Sequence, residues 1–139
     1  MGKVERVGIS LDKKLLAMFD RLIDKQGYPN RSEAVRDLIR ERLGREQLAK
    51  PSARAIAGVF LVYDHHTTDL SRKLLDLQHG NLLKVVASLH VHLDEHNCLE
   101  AVILKGRVSE IQKVADRLTS LKGVKLGRVN TISAGRELA

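Results

Sequence analysis

Two runs of alternating residues, joined by four polar positions, constrain the fold of this chain more than any other feature. In the first run, Leu83, Val85, Ala87, Leu89, Val91 and Leu93 fall on odd numbers, and Ser88, His90 and His92 on even ones. In the second, Leu99, Ala101 and Ile103 alternate with Cys98, Glu100 and Val102. A period of two marks a strand with one face in a core. Asp94-Glu95-His96-Asn97, between the runs, is rich in turn formers. The simplest antiparallel register sets Cys98 opposite His92 and Glu100 opposite His90, and partners across a hairpin share a face. Leu89, Val91, Leu99 and Ala101 are then expected to point into the core. The two imidazoles and the only cysteine of the chain gather on the other face.

That patch has the chemistry of a transition-metal site. Imidazole suits zinc, copper and nickel, and a thiolate adds a soft anionic donor. A bare His-x-His pair is common on solvated strands, and a single cysteine usually packs as a small hydrophobe. Their convergence is what sets the patch apart. A four-coordinate centre needs one more ligand. His79, where a helix is expected to end before the first run, is the best placed; His65 and His66, on a loop farther upstream, remain alternatives.

One cysteine forms no internal disulfide, and a thiolate ligand needs a reducing compartment, so a cytoplasmic location is expected. There is no long apolar run and no signal-peptide pattern, so no membrane association is expected. Four protein ligands leave no open position for a substrate, and no catalytic triad is visible, so the chain is not expected to be an enzyme. The net charge of +7 favours a polyanionic partner. Aromatic residues are scarce (two Phe and two Tyr), which argues against base stacking and for duplex rather than single-stranded nucleic acid.

The first 45 residues or so read as strand, helix, helix. Val7, Ile9 and Leu11 alternate with Arg6, Gly8 and Ser10. Asp12 is placed to cap a helix carrying Leu15, Phe19, Leu22 and Ile23, and Gly27 to end it. Asn30 with Glu33 three residues later reads as a capping box for a second helix bearing Val35, Ile39 and Leu43. Gly44 to Ser52, with Lys50-Pro51, reads as helix end and linker. So small a unit buries too little surface to stand alone. An intertwined dimer, with strands paired into a ribbon and helices packed together, would cure this. The segment resembles the ribbon-helix-helix architecture, which implies a ribbon in the major groove. Arg6, Gly8 and Ser10 would face the bases, and the helix start Asn30-Arg31-Ser32 would meet a phosphate.

Beyond the linker, the continuous apolar run from Ala55 to Tyr63 is expected to be a strand buried on both faces. Leu70, Leu74 and Leu77 mark a helix ending near His79-Gly80. The hairpin follows, then a helix with Val108, Ile111, Ala115 and Leu118, and a last strand from Val124 to Ile132. The order β-α-β-β-α-β is the ferredoxin-like pattern. The fold class is therefore α+β, with residues 1–48 as a ribbon-helix-helix domain, 49–53 as linker, 54–134 as the βαββαβ domain and 135–139 as a tail. With both helices on one sheet face, the face carrying His90, His92 and Cys98, with Val86 and Val102, is expected to be uncovered and to meet a partner subunit.

Taken together, the two halves resemble the nickel-responsive regulator family NikR over essentially the whole length. The most specific matches are Leu89-His90-Val91-His92, Cys98-Leu99-Glu100, Leu104-Lys105-Gly106 and Asn30-Arg31-Ser32-Glu33-Ala34-Val35-Arg36-Asp37. The resemblance implies an ACT-type regulatory domain, a homotetramer built as a dimer of dimers, and a nickel-dependent repressor of duplex DNA. Its palindromic operator would govern a nickel-uptake transporter. It also implies a Ni(II) site of His90, His92 and Cys98 completed by His79 of a neighbour, and a potassium ion between the domains at Glu33 and Asp37. Glu100 would be a hydrogen-bond acceptor that fixes an imidazole tautomer. The family commonly has a hydroxyl residue where Gly8 stands, so base reading here would fall on Arg6 and Ser10. A different reading is a ribbon-helix-helix regulator that senses another metal or a small molecule through its ACT-like domain.

Overall fold

The computed structural model describes residues 2–66, 69–81 and 84–134. Its elements are α1 (Lys13–Lys25), α2 (Arg31–Leu48), β1 (Arg54–Asp64), α3 (Leu70–His79), β2 (Val85–His92), β3 (Asn97–Arg107), α4 (Val108–Thr119) and β4 (Val124–Ser133). They form two compact units, one running up to Gly44 and the other covering Arg45–Ala134.

In the first unit, Asp12 caps α1 by accepting from the amides of Lys14 (2.9 Å) and Leu15 (3.2 Å). Gly27, at φ +82°, ends the helix. The Tyr28 amide then reaches back to the Ile23 carbonyl at 2.9 Å, the bond that a left-handed residue after a helix makes possible. Half of the capping box expected at α2 forms. The Glu33 amide donates to Asn30 Oδ1 (2.9 Å), while the Glu33 carboxylate turns to Arg36 (2.7 Å).

The expected first strand does not form within one chain: residues 2–11 carry no regular hydrogen bonding. A strand exists only as half of a ladder, and among the described residues nothing pairs with the segment. Its apolar side chains stay in the open, Val7 at 79% and Ile9 at 68% exposure. The helical stripes fare little better. Among the described residues of these helices only Ile23 and Ala34 are buried, while Leu15, Leu22, Leu38, Ile39 and Leu43 are exposed.

Gly44 does not stop α2, which runs to Leu48. A glycine costs about 1 kcal/mol relative to alanine inside a helix, too little to break one flanked by good helix formers. Pro51, which disfavours helical geometry at the residue before it, sets the end. Leu48 packs against the core of the second unit.

That second unit is a four-stranded antiparallel sheet in the order β2-β3-β1-β4. The hairpin register is the expected one, with His90 opposite Glu100 and His92 opposite Cys98. The faces are the reverse of the expectation. Ala57, Val59, Leu61 and Tyr63 of β1, with Cys98, Val102 and Leu104 of β3, are buried beneath Leu70 and Leu74 of α3 and Ile111, Ala115 and Leu118 of α4. Glu100 is buried on that same side. Ile56, Phe60, Leu89, Leu126 and Ile132 lie on the other face, exposed. The run through β1 is therefore apolar on both faces but covered on one. Both alternating sets of β3 contain apolar residues, so alternation alone did not say which set the helices cover.

The turn of the hairpin is tied by one carboxylate. Asp94 accepts from the amides of His96 and Asn97, each at 2.8 Å, and from the Asn97 side chain at 2.9 Å. The Asn97 side-chain bond first, then the two amides, pull the Asp94 carboxyl from 3.8 down to about 2. A carboxyl lowered in the folded state supports that state fully above its ordinary value, and the support is lost as pH falls through the lowered one. Amide exchange at His96 and Asn97 should thus stay slow, once corrected for intrinsic rates, down to about pH 4 and quicken toward pH 2. Asp94→Ala should show the quick exchange at neutral pH; unchanged protection in that variant would mean that the turn is held by something else.

Candidate metal centre

The site lies where a buried strand meets an edge strand. β3 is paired on both sides, whereas β2 is paired only with β3. Cys98 and Glu100 sit under the helices, and their partners His92 and His90, one strand farther out, reach past that cover and are exposed. A buried sulfur and carboxylate thus stand behind two accessible imidazoles.

Cys98 Sγ lies 3.4 Å from His92 Nδ1. The rings of His90 and His92 are 5.0 Å apart and steeply inclined, at 77°. Burial pushes the Cys98 thiol up from its ordinary value, and the charges of Asp94, Glu100 and Asp64 push in the same direction. The free protein therefore holds a protonated sulfur at neutral pH. Binding a metal must release that proton.

His90 is oriented from behind. Its Nδ1 is 2.9 Å from Glu100 Oε2 and 3.1 Å from the Tyr63 hydroxyl. Tyr63 also donates to Glu100 (3.3 Å), and Gln78 reaches the other carboxylate oxygen at 3.5 Å. Burial, then the charge of Glu100, pushes the Tyr63 phenol up to about 12, so it remains a donor. With Nδ1–H turned to a carboxylate, Nε2 is left as the lone-pair nitrogen, the arrangement that metal-binding histidines use. Glu100 thus stands where the expected tautomer-fixing acceptor should.

The groups that the geometry brings closest include one that the sequence left as an alternative to His79. Ligand atoms of His65, His92 and Cys98 all lie within 4.8 Å of one another. His65 Nδ1 is buried and has no hydrogen-bond partner among the described residues. The strand order explains its position. Tyr63 pairs with Cys98 and Asp64 with Asn97, so the chain leaving β1 passes beside the hairpin turn, where the His65 amide donates to the His96 carbonyl at 2.9 Å. The signal was available in the sequence: a central β1 paired with β3 puts residues just after Tyr63 next to Cys98. His79 is exposed at the end of α3 and belongs to no such cluster among the described residues. Its neighbour Gln78 points inward to Glu100.

The donor set fits a soft-to-borderline divalent metal. It combines a thiolate-forming sulfur, imidazoles on rigid strands and a carboxylate behind one of them. His65, whose buried Nδ1 has no partner among the described residues, adds a third imidazole beside the sulfur.

The residues expected to meet DNA are divided. Arg6, Gly8 and Ser10 are exposed on the extended segment. Gly8 has open space where a side chain would stand. Arg31 forms a forked pair with Asp20, with both bonds 2.8 Å long, which lowers the Asp20 carboxyl and raises the guanidinium. Asn30 is occupied as the α2 cap. Ser32 is exposed in the first turn of α2. Glu33 is paired with Arg36, and Asp37 with Arg40 (3.1 Å) and the Tyr28 hydroxyl (2.7 Å).

Comparison with known proteins places this geometry. Residues 56–132 match the family model described as the NikR C terminal nickel binding domain, and residues 5–46 match the ribbon-helix-helix protein, copG family. A protein of Lawsonia intracellularis is 52% identical over 127 residues, 91% of each chain. Proteins of Pyrococcus furiosus and Geobacter metallireducens are each 49% identical over 138 residues, 99% of each chain. All three bear the name "Putative nickel-responsive regulator". With a nickel-binding domain matched over more than half its length and relatives of about half identity along nearly all of it, the chain belongs to the nickel-responsive regulator family.

Proposed function

We propose that this protein is a nickel-dependent transcriptional repressor that binds a palindromic operator in duplex DNA, one that governs a nickel-uptake transporter. The observation that carries the reading is the pairing of His90 with Glu100 and His92 with Cys98 at the sheet edge. His90, His92 and Cys98 of one protomer, with His79 of a neighbour, would hold Ni(II). An ion held there would tie two protomers together, and a mixed imidazole and thiolate donor set suits divalent nickel.

The chain's own residues do the rest. Glu100 and Tyr63 hold Nε2 of His90 outward. Cys98 gives up its proton on metal binding, so nickel affinity rises with pH through the neutral range. His79 ends α3, and engaging it fixes the end of that helix. The arrangement with both ribbons on one operator is then favoured. A preference of about 1–3 kcal/mol for the DNA-competent state is a typical coupling.

Two separate unsatisfied surfaces support a homotetramer. One is the ribbon segment with the helical stripes of the first unit, and the other is the uncovered apolar sheet face of the second. Each can close only on a like surface, and two independent two-fold contacts join four chains. On the paired ribbon, Arg6 and Ser10 read bases, while Gly8 contributes no side chain. With Arg31 held by Asp20, the phosphate falls to the free amides of the first turn of α2 and to Ser32. A potassium ion at Glu33 and Asp37 would have to displace Arg36 and Arg40 from those carboxylates.

Three outcomes follow from this reading. His90→Ala should abolish stoichiometric nickel binding without unfolding the domain, and Cys98→Ser should remove the thiolate-to-nickel band in the near ultraviolet; a normal titration in both would refute the ligand set. Arg6→Ala should lose operator affinity in a gel-shift assay while keeping nickel affinity, and full specific binding would exclude the ribbon as the DNA reader. Phe60→Asp, at the centre of the uncovered sheet face, should lower the mass seen by light scattering from tetramer to dimer. An unchanged mass would show that this face is not an interface.

A further inference from the structure

The His65 cluster is not accounted for by that reading. We propose that His65, His92 and Cys98 of a single protomer form a second, three-ligand metal position that takes ions content with tetrahedral coordination, zinc and cobalt, and keeps them from activating the repressor. The inference rests on the nickel reading only in sharing two of its ligands.

The three donors come from three segments: the turn just after β1, the end of β2 and the start of β3. Their atoms lie within 4.8 Å of one another without any contribution from another chain. The Cys98–His92 separation is 3.4 Å. In a tetrahedral site with Zn–N and Zn–S bonds of about 2.0–2.1 and 2.3 Å, nitrogen and sulfur stand about 3.5 Å apart. That edge of the site is already at its working length. The His65 and His92 rings meet at 86°, with centroids 5.8 Å apart, so they approach the cluster from different directions.

His65 Nδ1 is buried with no partner among the described residues. An unsatisfied ring nitrogen is costly to bury, and a metal ion is one group that relieves it. The backbone holds the residue in place through the His65 amide on His96, so its side chain is not needed for that tie.

The two positions compete because both need His92 and Cys98. They differ in the third donor, His65 against His90, and in geometry. Zinc has no directional preference from its d electrons and settles readily into a site with three protein ligands and a water. Nickel favours square-planar or tetragonal surroundings. An ion held by His65, His92 and Cys98 uses nothing from a neighbour. It therefore fills the sensor without drawing on His79.

The test is titration of the full-length protein with cobalt chloride, followed through the visible bands of four-coordinate cobalt, beside nickel followed in the near ultraviolet. Wild type should show the intense tetrahedral pattern. His65→Ala should lose it and bind cobalt at least about tenfold more weakly, since even the loss of an outer hydrogen-bond partner costs 10–100-fold; its nickel band should be unchanged. His90→Ala should do the reverse, losing nickel and keeping tetrahedral cobalt. His65→Gln repeats the test should the alanine variant unfold by circular dichroism. Undiminished cobalt bands in the folded His65 variant, or loss of cobalt along with nickel in His90→Ala, would overturn the proposal. Were wild type to bind no nickel, the repressor reading would fall, while the cobalt contrast between wild type and His65→Ala would still decide this one.

Discussion

The pairing of β2 with β3 is the contact on which the candidate site depends. It puts an imidazole against a sulfur and another against a carboxylate, at the sheet edge where β3, buried on its helix side, borders the exposed β2. A slip of one residue would send both histidines to the opposite face. The register is held from two directions. Asp94 knots the turn, and β1 on the far side of β3 pairs along its whole length, from Arg54 with Arg107 to Asp64 with Asn97. Glu100 adds a constraint on the side chains. Burying a carboxyl group to 11% side-chain exposure is costly without hydrogen-bond partners, and His90, Tyr63 and Gln78 are those partners. The same bonds that make Glu100 tolerable in the core fix which nitrogen of His90 faces outward.

A single protomer leaves much undone. The extended N-terminal segment has no ladder, the stripes of α1 and α2 are half bare, and one sheet face carries Ile56, Phe60, Leu89 and Ile132 in the open. Monomeric proteins seldom expose apolar area on this scale without a use for it. These surfaces belong to different units, so each would be satisfied by its own contact with another chain. Among the described residues of the first unit only Ile23 and Ala34 are buried, so a contact with another chain would be what gives that unit a core.

Much of this was legible in the sequence, and the misses have specific causes. The hairpin register followed from period-two alternation around a four-residue polar turn. The caps at Asp12, Gly27 and Asn30 followed from residue type and position. Which face the helices cover did not, because Leu99, Ala101 and Ile103 compete with Val102 and Leu104 as a plausible core set, and two histidines tilted the choice. The structure resolves this by putting β2 at the edge, where polar residues on the helix side still reach solvent. The strand in residues 4–11 was read from its pattern, but a pattern shows only what a segment would do with a partner. His65 was ranked below His79 because sequence distance was used where strand order was needed.

The two uses of His92 and Cys98 also bear on what a sensor must do. An ion shifts a conformational equilibrium only to the extent that it binds one state better than the other. Affinity for a site formed within a single protomer is nearly the same whatever its neighbours do, so an ion held by His65, His92 and Cys98 would leave the equilibrium where it was. A site that borrows His79 exists only in the assembled arrangement, and the full strength of that extra bond becomes bias. On this reading, discrimination among metals does not require that nickel bind most tightly, a contest that copper would win on general affinity. It requires only that nickel's geometry direct it to the ligands that span two chains, while the ligand set confined to one chain takes the ions with the other preference.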